Sequence, residues 1–287
     1  MGKLKERLSK KIPDWRYNYR QLLDEKGDQV TSTVTIEKAY SDMKGVKGMI
    51  CDTSSVTAEA GLHVRGRHIL DLVDLKPEEI LYLLLIGDLP DAESLQDLQK
   101  ELKDKSTVPD YVWSVLDSMP KDSHPMAMFN TAILSMQKES KFAEAYDLVV
   151  SKSDYWETTL EDGLNIIAKL PAIGAAIYRM RFSKGNRIEA GDSVDWSESF
   201  LQMMGFDYSD DMLKMMQLYL MLHCDHEGGN VSTFSALTVN SALSDPYYSL
   251  SAGLNGLAGP LHGLANQNNL KFVLDIIDHY NGVPSDE

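Results

Sequence analysis

The chain has 287 residues, 43% of them hydrophobic, and a formal net charge of −15, enough length for one large core or for one large domain and part of another. That charge argues against nucleic acid and anionic membrane as partners, because both need a cationic face that displaces counterions. The longest apolar run, ILYLLLI at 80–86, is far short of the roughly 20 residues of a membrane helix.

The N-terminal stretch MGKLKERLSKKIPDW is basic and amphipathic, but it carries Glu6 and Asp14 and lacks the apolar centre of a secretory signal. It is predicted to be a first surface helix. The segment KGMICDTSSVTAEAGLHVRG at 47–66 is the only stretch with strand character and is predicted to form a small hairpin. Cys51 within it and Cys224 are the only cysteines, which provides no disulfide framework and points to a reducing compartment.

Helix signals dominate the rest of the chain. KPEEILYLLLIG places Pro77 in a first turn, Glu78 and Glu79 at the end the helix dipole favours for acids, and Gly87 as a stop. SDYWETTLEDGLNIIAKLPAIGAAIYRMRF reads as one long helix with a kink expected at Pro171, and Gly174, Ala175 and Ala176 permit close helix contact. Its near-continuous apolarity implies burial on several sides, in a core or a subunit interface. DDMLKMMQLYLML is a helix running into HCDHEGGNVSTF at 223–234. In SDPYYSLSAGLNGLAG either Ser244 or Asp245 is the cap before Pro246. Pro260 is expected to open the last helix, whose apolar stripe is Leu270, Val273, Leu274 and Ile277, with Asn281, Gly282 and Pro284 ending it. The fold class is therefore mainly α, with one small β-hairpin near the N-terminus.

Two stretches carry chemistry. In the first, a zinc protease would set a second histidine four residues after an initial His-Glu, whereas His226-Glu227 is followed by Gly228, Gly229 and Asn230. A metal site using His223 and His226 is an alternative, against which stand the helix-breaking glycines and the lack of a second ligand cluster. His223 is expected to be a core histidine bonded to backbone. For His226 a pocket is the better reading, with Gly228 and Gly229 giving a ligand room against the backbone. In the second stretch, NGLAGPLHGLANQ at 255–267, His262 is expected in the first turn of the last helix. There the dipole favours neutral imidazole, able to donate an N–H to a carbonyl oxygen becoming negative, as enolisation requires.

Taken together, HCDHEGGNVS and NSALSDPYYSLSAGLNGLAGPLHGLANQ resemble the citrate synthase family closely, in the same order. Weaker similarity runs upstream through GVKGMICDTS, GLHVRG, HPMAMFNTAI and YWETTLEDGLNIIAKLPAI. The resemblance implies condensation of acetyl-CoA with oxaloacetate to citrate and CoA, with no metal or prosthetic group. It implies that His262 is the catalytic donor to the thioester carbonyl, that His226 and Asn230 bind oxaloacetate, and that Ser232 supports them. A homodimer built on the long helix is implied too, as is a bacterial cytoplasm or mitochondrial matrix location. It divides the chain into a large helical domain over 1–262 and the first helix of a smaller domain over 263–287. 2-Methylcitrate synthase, taking propionyl-CoA, is the alternative within the same class. A non-catalytic helical oligomerisation protein is the alternative outside it.

The chain departs from the family pattern at Cys224, Phe234 and His63, where members often carry Ser, His and Arg. The resemblance also implies a second histidine, a methyl-deprotonating aspartate and carboxylate-binding arginines that these 287 residues do not contain. Charge agrees: after Arg187 there is no arginine, and Lys214 and Lys271 are the only lysines, although a dicarboxylate and a polyphosphate call for bidentate cations. The expectation is a fragment that does not make citrate by itself.

Overall fold

The computed structural model describes residues 2–41, 46 and 48–283. Helices α1 (Lys3–Lys26) and α2 (Ile36–Tyr40) precede strands β1 (Ser54–Thr57), β2 (Gly61–Val64) and β3 (Arg67–His68). Then come α3 (Pro77–Ile86), α4 (Ala92–Asp104), α5 (Asp110–Ser118), α6 (Pro125–Ser135), α7 (Lys141–Asp147), α8 (Tyr155–Arg181) and α9 (Trp196–Met204). The chain continues through α10 (Asp210–Leu222), α11 (Val231–Asn240), α12 (Pro246–Leu257) and α13 (Leu264–His279). The fold is mainly α, as the sequence predicts.

Helix boundaries follow local chemistry. Pro77 opens α3, the Glu79 carboxylate accepts from the Lys76 N–H at 2.9 Å, and Gly87 closes the helix at φ +83°, a conformation that costs a glycine nothing. Asp91, Ser140, Asp195, Ser209 and Asp245 each cap a helix through the side-chain oxygen. Of the two cap candidates before Pro246 the structure uses Asp245, which accepts from the N–H groups of Tyr247 and Tyr248 at 2.9 and 3.1 Å.

Helix α8 is the axis of the molecule. Its Ile166, Ile173 and Ile177 join Val112 and Leu116 of α5, Met128 and Ile133 of α6, and Tyr247 and Leu254 of α12 in one buried cluster. On another side Leu164 and Ala168 meet Leu4 and Leu8 of α1, Tyr82 and Ile86 of α3, and Leu98 and Leu102 of α4. Burial on several sides is what its apolar sequence predicts. Pro171 lies inside α8 without interrupting it, and Gly174 lets the Phe200 ring of α9 approach to 3.4 Å of where a Cβ would stand. Lys169, also buried, donates to the carbonyls of Lys105 and Asn165 at 2.8 and 3.3 Å; burial, aided by the charge of Lys105, pulls its pKa down to about 8.

Three expectations are corrected. The N-terminal helix is more than a surface element, since Leu4 and Leu8 are 1% and 5% exposed. The hairpin gains a third strand, with His63 and Val64 of β2 opposite His68 and Arg67 of β3. Helix α13 starts at Leu264 rather than at Pro260, because residues 258–263 form turns held by His262 N–H to Gly259 O and Gly263 N–H to Leu257 O, at 3.0 and 3.1 Å. Lys47 of the predicted hairpin segment and Pro284 of the predicted helix stop lie outside the described residues.

Candidate functional site

The loop 223–230 joins α10 to α11 and carries His226. Helix α10 ends at Leu222 with His223 as its C-cap, so the two histidines do not share a helix face. His223 is bonded to backbone, as expected, with Nδ1 2.6 Å from the Tyr219 carbonyl, but it is exposed rather than part of the core. Its Nε2 is 3.2 Å from Nδ2 of Asn266, which also donates to the Tyr219 hydroxyl at 3.4 Å. Asn266 thereby ties the first turn of α13 to the end of α10, a link no local motif announces.

His226 is exposed and makes no hydrogen bond among the described residues. The residues around it are the reverse. Glu227 adopts φ +56°, its N–H donates to Ser54 Oγ at 2.7 Å, and its carboxylate accepts from the Val56 N–H at 2.7 Å. Asn230 caps α11 by accepting from the Thr233 N–H at 2.9 Å while its amide donates to the Glu227 carbonyl at 3.2 Å. The glycine pair divides its work. A Cβ on Gly228 would stand 2.9 Å from Cys51 Cβ, so that glycine serves packing against the segment before β1, and of the pair Gly229 alone would meet nothing within 4 Å among the described residues. Cys224 is half-buried against α3 and α10, and burial raises its thiol pKa to about 12, which leaves it an inert packing group.

His262 meets the start of α11, just after this loop. Its Nε2 contacts the hydroxyl of Ser232, the second residue of α11. Glycines make the approach possible. A Cβ on Gly256 would lie 3.3 to 3.4 Å from the backbone of Val231 and Ser232, and one on Gly253 would lie 3.1 Å from the Ser232 carbonyl. Helix α12 therefore presses on the N-terminal turn of α11, and the turn after α12 returns His262 to Ser232. The sequence reading put His262 in the first turn of the last helix; it stands two residues ahead of Leu264, and the helix end it faces belongs to α11. The backbone dipole near its ring is thus that of α11, reached only through tertiary packing.

The carboxylates nearest the histidines in sequence are largely committed. Glu227 is engaged by Val56, and Asp245 by Tyr247, Tyr248 and the Gln137 amide at 2.7 Å. Asp225 Oδ2 is buried and without a hydrogen-bond partner among the described residues. Among the described residues no group of three His, Cys, Asp or Glu side chains is arranged to hold a metal ion, so His223 and His226 lack the companions a site would need.

Residues 42–283 match the family model described as citrate synthase, C-terminal domain. The chain belongs to the citrate synthase family. It is 40% identical over 294 residues to the mitochondrial citrate synthase of Saccharomyces cerevisiae, covering 99% of this chain and 61% of that one. It is 39% identical over 284 residues to the mitochondrial 2-methylcitrate synthase of Yarrowia lipolytica, covering 95% and 61%. Among solved structures, citrate synthase from Pyrobaculum aerophilum superposes with a TM-score of 0.75 at 30% identity, over 82% of this chain and 58% of that one. The ternary complex of Thermoplasma acidophilum citrate synthase with carboxymethyl coenzyme A and oxaloacetate gives 0.69 at 25% identity, over 80% and 58%. The chain spans about three-fifths of the length of the curated relatives it matches.

Proposed function

We propose that these residues supply the oxaloacetate-binding and carbonyl-polarising half of a citrate synthase site, in a whole protein that condenses acetyl-CoA with oxaloacetate to citrate and CoA. The observation that carries this reading is the contact of His262 with Ser232 at the start of α11, two residues after the Asn230 cap and six after His226. In it His262, its ring steadied by Ser232, donates to the thioester carbonyl as the enolate forms. His226, free of protein partners among the described residues, binds oxaloacetate, with Asn230 shaping the loop beside it. No metal or prosthetic group takes part.

The carbon–carbon bond forms when the enolate of the acetyl group attacks the ketone of oxaloacetate, and hydrolysis of the citryl thioester then releases CoA. Enolisation needs a base at the methyl group as well as a donor at the carbonyl. The commitments of Glu227 and Asp245 support a base from elsewhere in the whole protein. Residues 1–287 alone are accordingly expected to give no turnover. Residues 1–262 act as the large helical domain and residues 263–287 as the first helix of a smaller one, a division supported by the exposure of almost every residue of α13.

The protein pairs with a second copy across a face that includes α8. In support, an apolar groove of about 260 Å³ runs between α6 and α8, lined by Met126, Phe129, Gly174, Ile177, Tyr178 and Phe182. The reducing compartment is a mitochondrial matrix or bacterial cytoplasm; among the described residues no helix is long and apolar enough to cross a membrane.

The test is CoA release by the whole protein with acetyl-CoA and oxaloacetate, beside the 287-residue chain. Release by the whole protein only is expected. A folded whole protein that releases none, or a short chain that turns over well, overturns the reading. Similarity to the Yarrowia 2-methylcitrate synthase favours running propionyl-CoA in parallel; faster turnover with it would make that the activity.

A further inference from the structure

The exposed His226 side chain has no protein partner among the described residues, so whatever direction it holds comes from its backbone. That backbone is under tension. Glu227, the next residue, sits at φ +56°, a left-handed conformation that is strained for any residue with a Cβ. Such a conformation persists only where the surroundings over-determine it. Here the N–H, the carbonyl and one carboxylate oxygen of Glu227 are all engaged. The N–H goes to Ser54 Oγ at 2.7 Å, the carboxylate to the Val56 N–H at 2.7 Å, and the carbonyl to the Asn230 amide at 3.2 Å.

The first two bonds reach back across 173 and 171 residues to β1. Among the described residues β1 pairs with β2 on one side only, in the order β1-β2-β3, which leaves its other edge with unsatisfied backbone groups. Glu227 fills that edge at Val56, and the buried Ser54 hydroxyl, 6% exposed as a residue, holds the Glu227 N–H. Just beyond, Gly228 lies against Cys51 so closely that even a Cβ would collide. The loop is therefore fastened to the sheet on the residue that follows His226, and packed down on the one after.

We propose that Ser54 and Glu227 are positioning residues for oxaloacetate binding: together they clamp the loop to β1 and set the direction of the His226 ring. This rests on the reading that His226 contacts oxaloacetate. Neither residue touches the substrate. The small sheet is then a fixed jaw for the loop, which explains why a mainly helical molecule keeps three short strands beside its site.

The experiment compares Ser54→Ala, Ser54→Thr, Glu227→Asp and His226→Ala in the whole protein, with KM for each substrate, kcat and unfolding midpoint as readouts. Amide exchange of residues 225–230 is followed in the 287-residue chain. Ser54→Ala is expected to raise the oxaloacetate KM about tenfold, the scale of one hydrogen bond lost at a loop in register with its ligand. The acyl-CoA KM should stay within about twofold, and Ser54→Thr, which keeps the hydroxyl, should restore most of the loss. Glu227→Asp is one methylene too short for Val56 and keeps the N–H bond, so it makes the same comparison should Ser54→Ala not fold.

Two results separate this proposal from the reading beneath it. The double variant Ser54→Ala/His226→Ala should bind oxaloacetate no worse than His226→Ala alone, because the clamp acts through that ring. Full additivity, or exchange in 225–230 unchanged by Ser54→Ala, overturns the clamp while leaving His226 as a substrate contact. An oxaloacetate KM unmoved by His226→Ala overturns the substrate role itself, and the positioning role with it, even where the exchange data show the loop loosened.

Discussion

Helices α8 and α13 are both amphipathic or apolar by sequence, and they end up in opposite circumstances. α8 is covered by α1, α3, α4, α5, α6, α9 and α12, and it buries even Asp162 and Lys169. α13 has no buried residue, and its stripe residues Leu270, Val273 and Leu274 are 57%, 42% and 49% exposed. Each has the periodicity of a packed helix, yet only α8 is enclosed by neighbours. An apolar stripe states that a helix wants a partner and leaves the partner unspecified. His226, Asn230 and His262 fall between these extremes, on the segments that join α10 to α11 and α12 to α13.

The comparison breaks most readily at Asp162. This residue is fully buried and accepts from Ser140 Oγ, the Lys141 N–H and the Phe142 N–H at 2.7, 2.6 and 3.2 Å. Asp162→Ala strands three donors at the start of α7 and is expected to cost roughly 3 kcal/mol or more, read from the urea midpoint. A loss below about 1 kcal/mol would mean that water replaces the carboxylate and that the α8 surroundings are looser than its burial implies.

At the turn between α12 and α13 the effect should be on chemistry instead. His262→Ala in the whole protein is expected to lower turnover on the order of 10²-fold, the scale of losing one donor to a developing oxyanion. Its unfolding midpoint should stay near that of the parent, since the ring is only half-buried. Near-normal turnover would remove His262 from the chemistry.

Lys169 sharpens the contrast through pH. Its folded pKa is about 8 against an ordinary 10.5, so between those values the unfolded chain holds a proton that the folded chain has given up. The unfolded state then binds more protons, and stability should rise with pH through that window, by about 3 kcal/mol in all. Lys169→Met lacks this rise. Parallel unfolding of parent and variant at pH 7.5 and pH 10 measures it, and identical pH slopes would place the amine in contact with water.

The smallest effect is expected on α13. Leu274→Lys should change the stability of the 287-residue chain by less than about 0.5 kcal/mol, as exposed substitutions do. A loss above about 2 kcal/mol would show that the stripe is covered by some contact in solution, a second copy included, and concentration dependence of the midpoint would identify the copy.

Much of the fold was legible from local chemistry. Pro77 and Gly87 bound α3, Asp245 and Pro246 start α12, and the apolar run from Tyr155 to Arg181 is a single buried helix, because caps, proline geometry and periodicity act within a turn or two of the chain. The family, too, is written in contiguous motifs around His226 and His262. The placement of His262 was not legible. Pro260 is a sound helix opener in isolation, yet the chain turns again before α13, and the ring packs on the start of α11 because Gly253 and Gly256 let α12 approach Ser232. His223 misled similarly: its bond to Tyr219 is local and was foreseeable, whereas its exposure depends on how little besides Asn266 covers the end of α10.

By itself the sequence determined that the chain is mainly helical, where α3 and α12 start, and to which family the chain belongs, since each of these is decided over a few consecutive residues. Only the tertiary structure decided that Ser54 and Val56 hold the loop of His226, that α11 rather than α13 presents its N-terminal turn to His262, and that α8 is enclosed while α13 is bare. Those outcomes join positions 30 to 173 residues apart. The free energy of closing such loops is met by the packing of the whole core rather than by any motif within it.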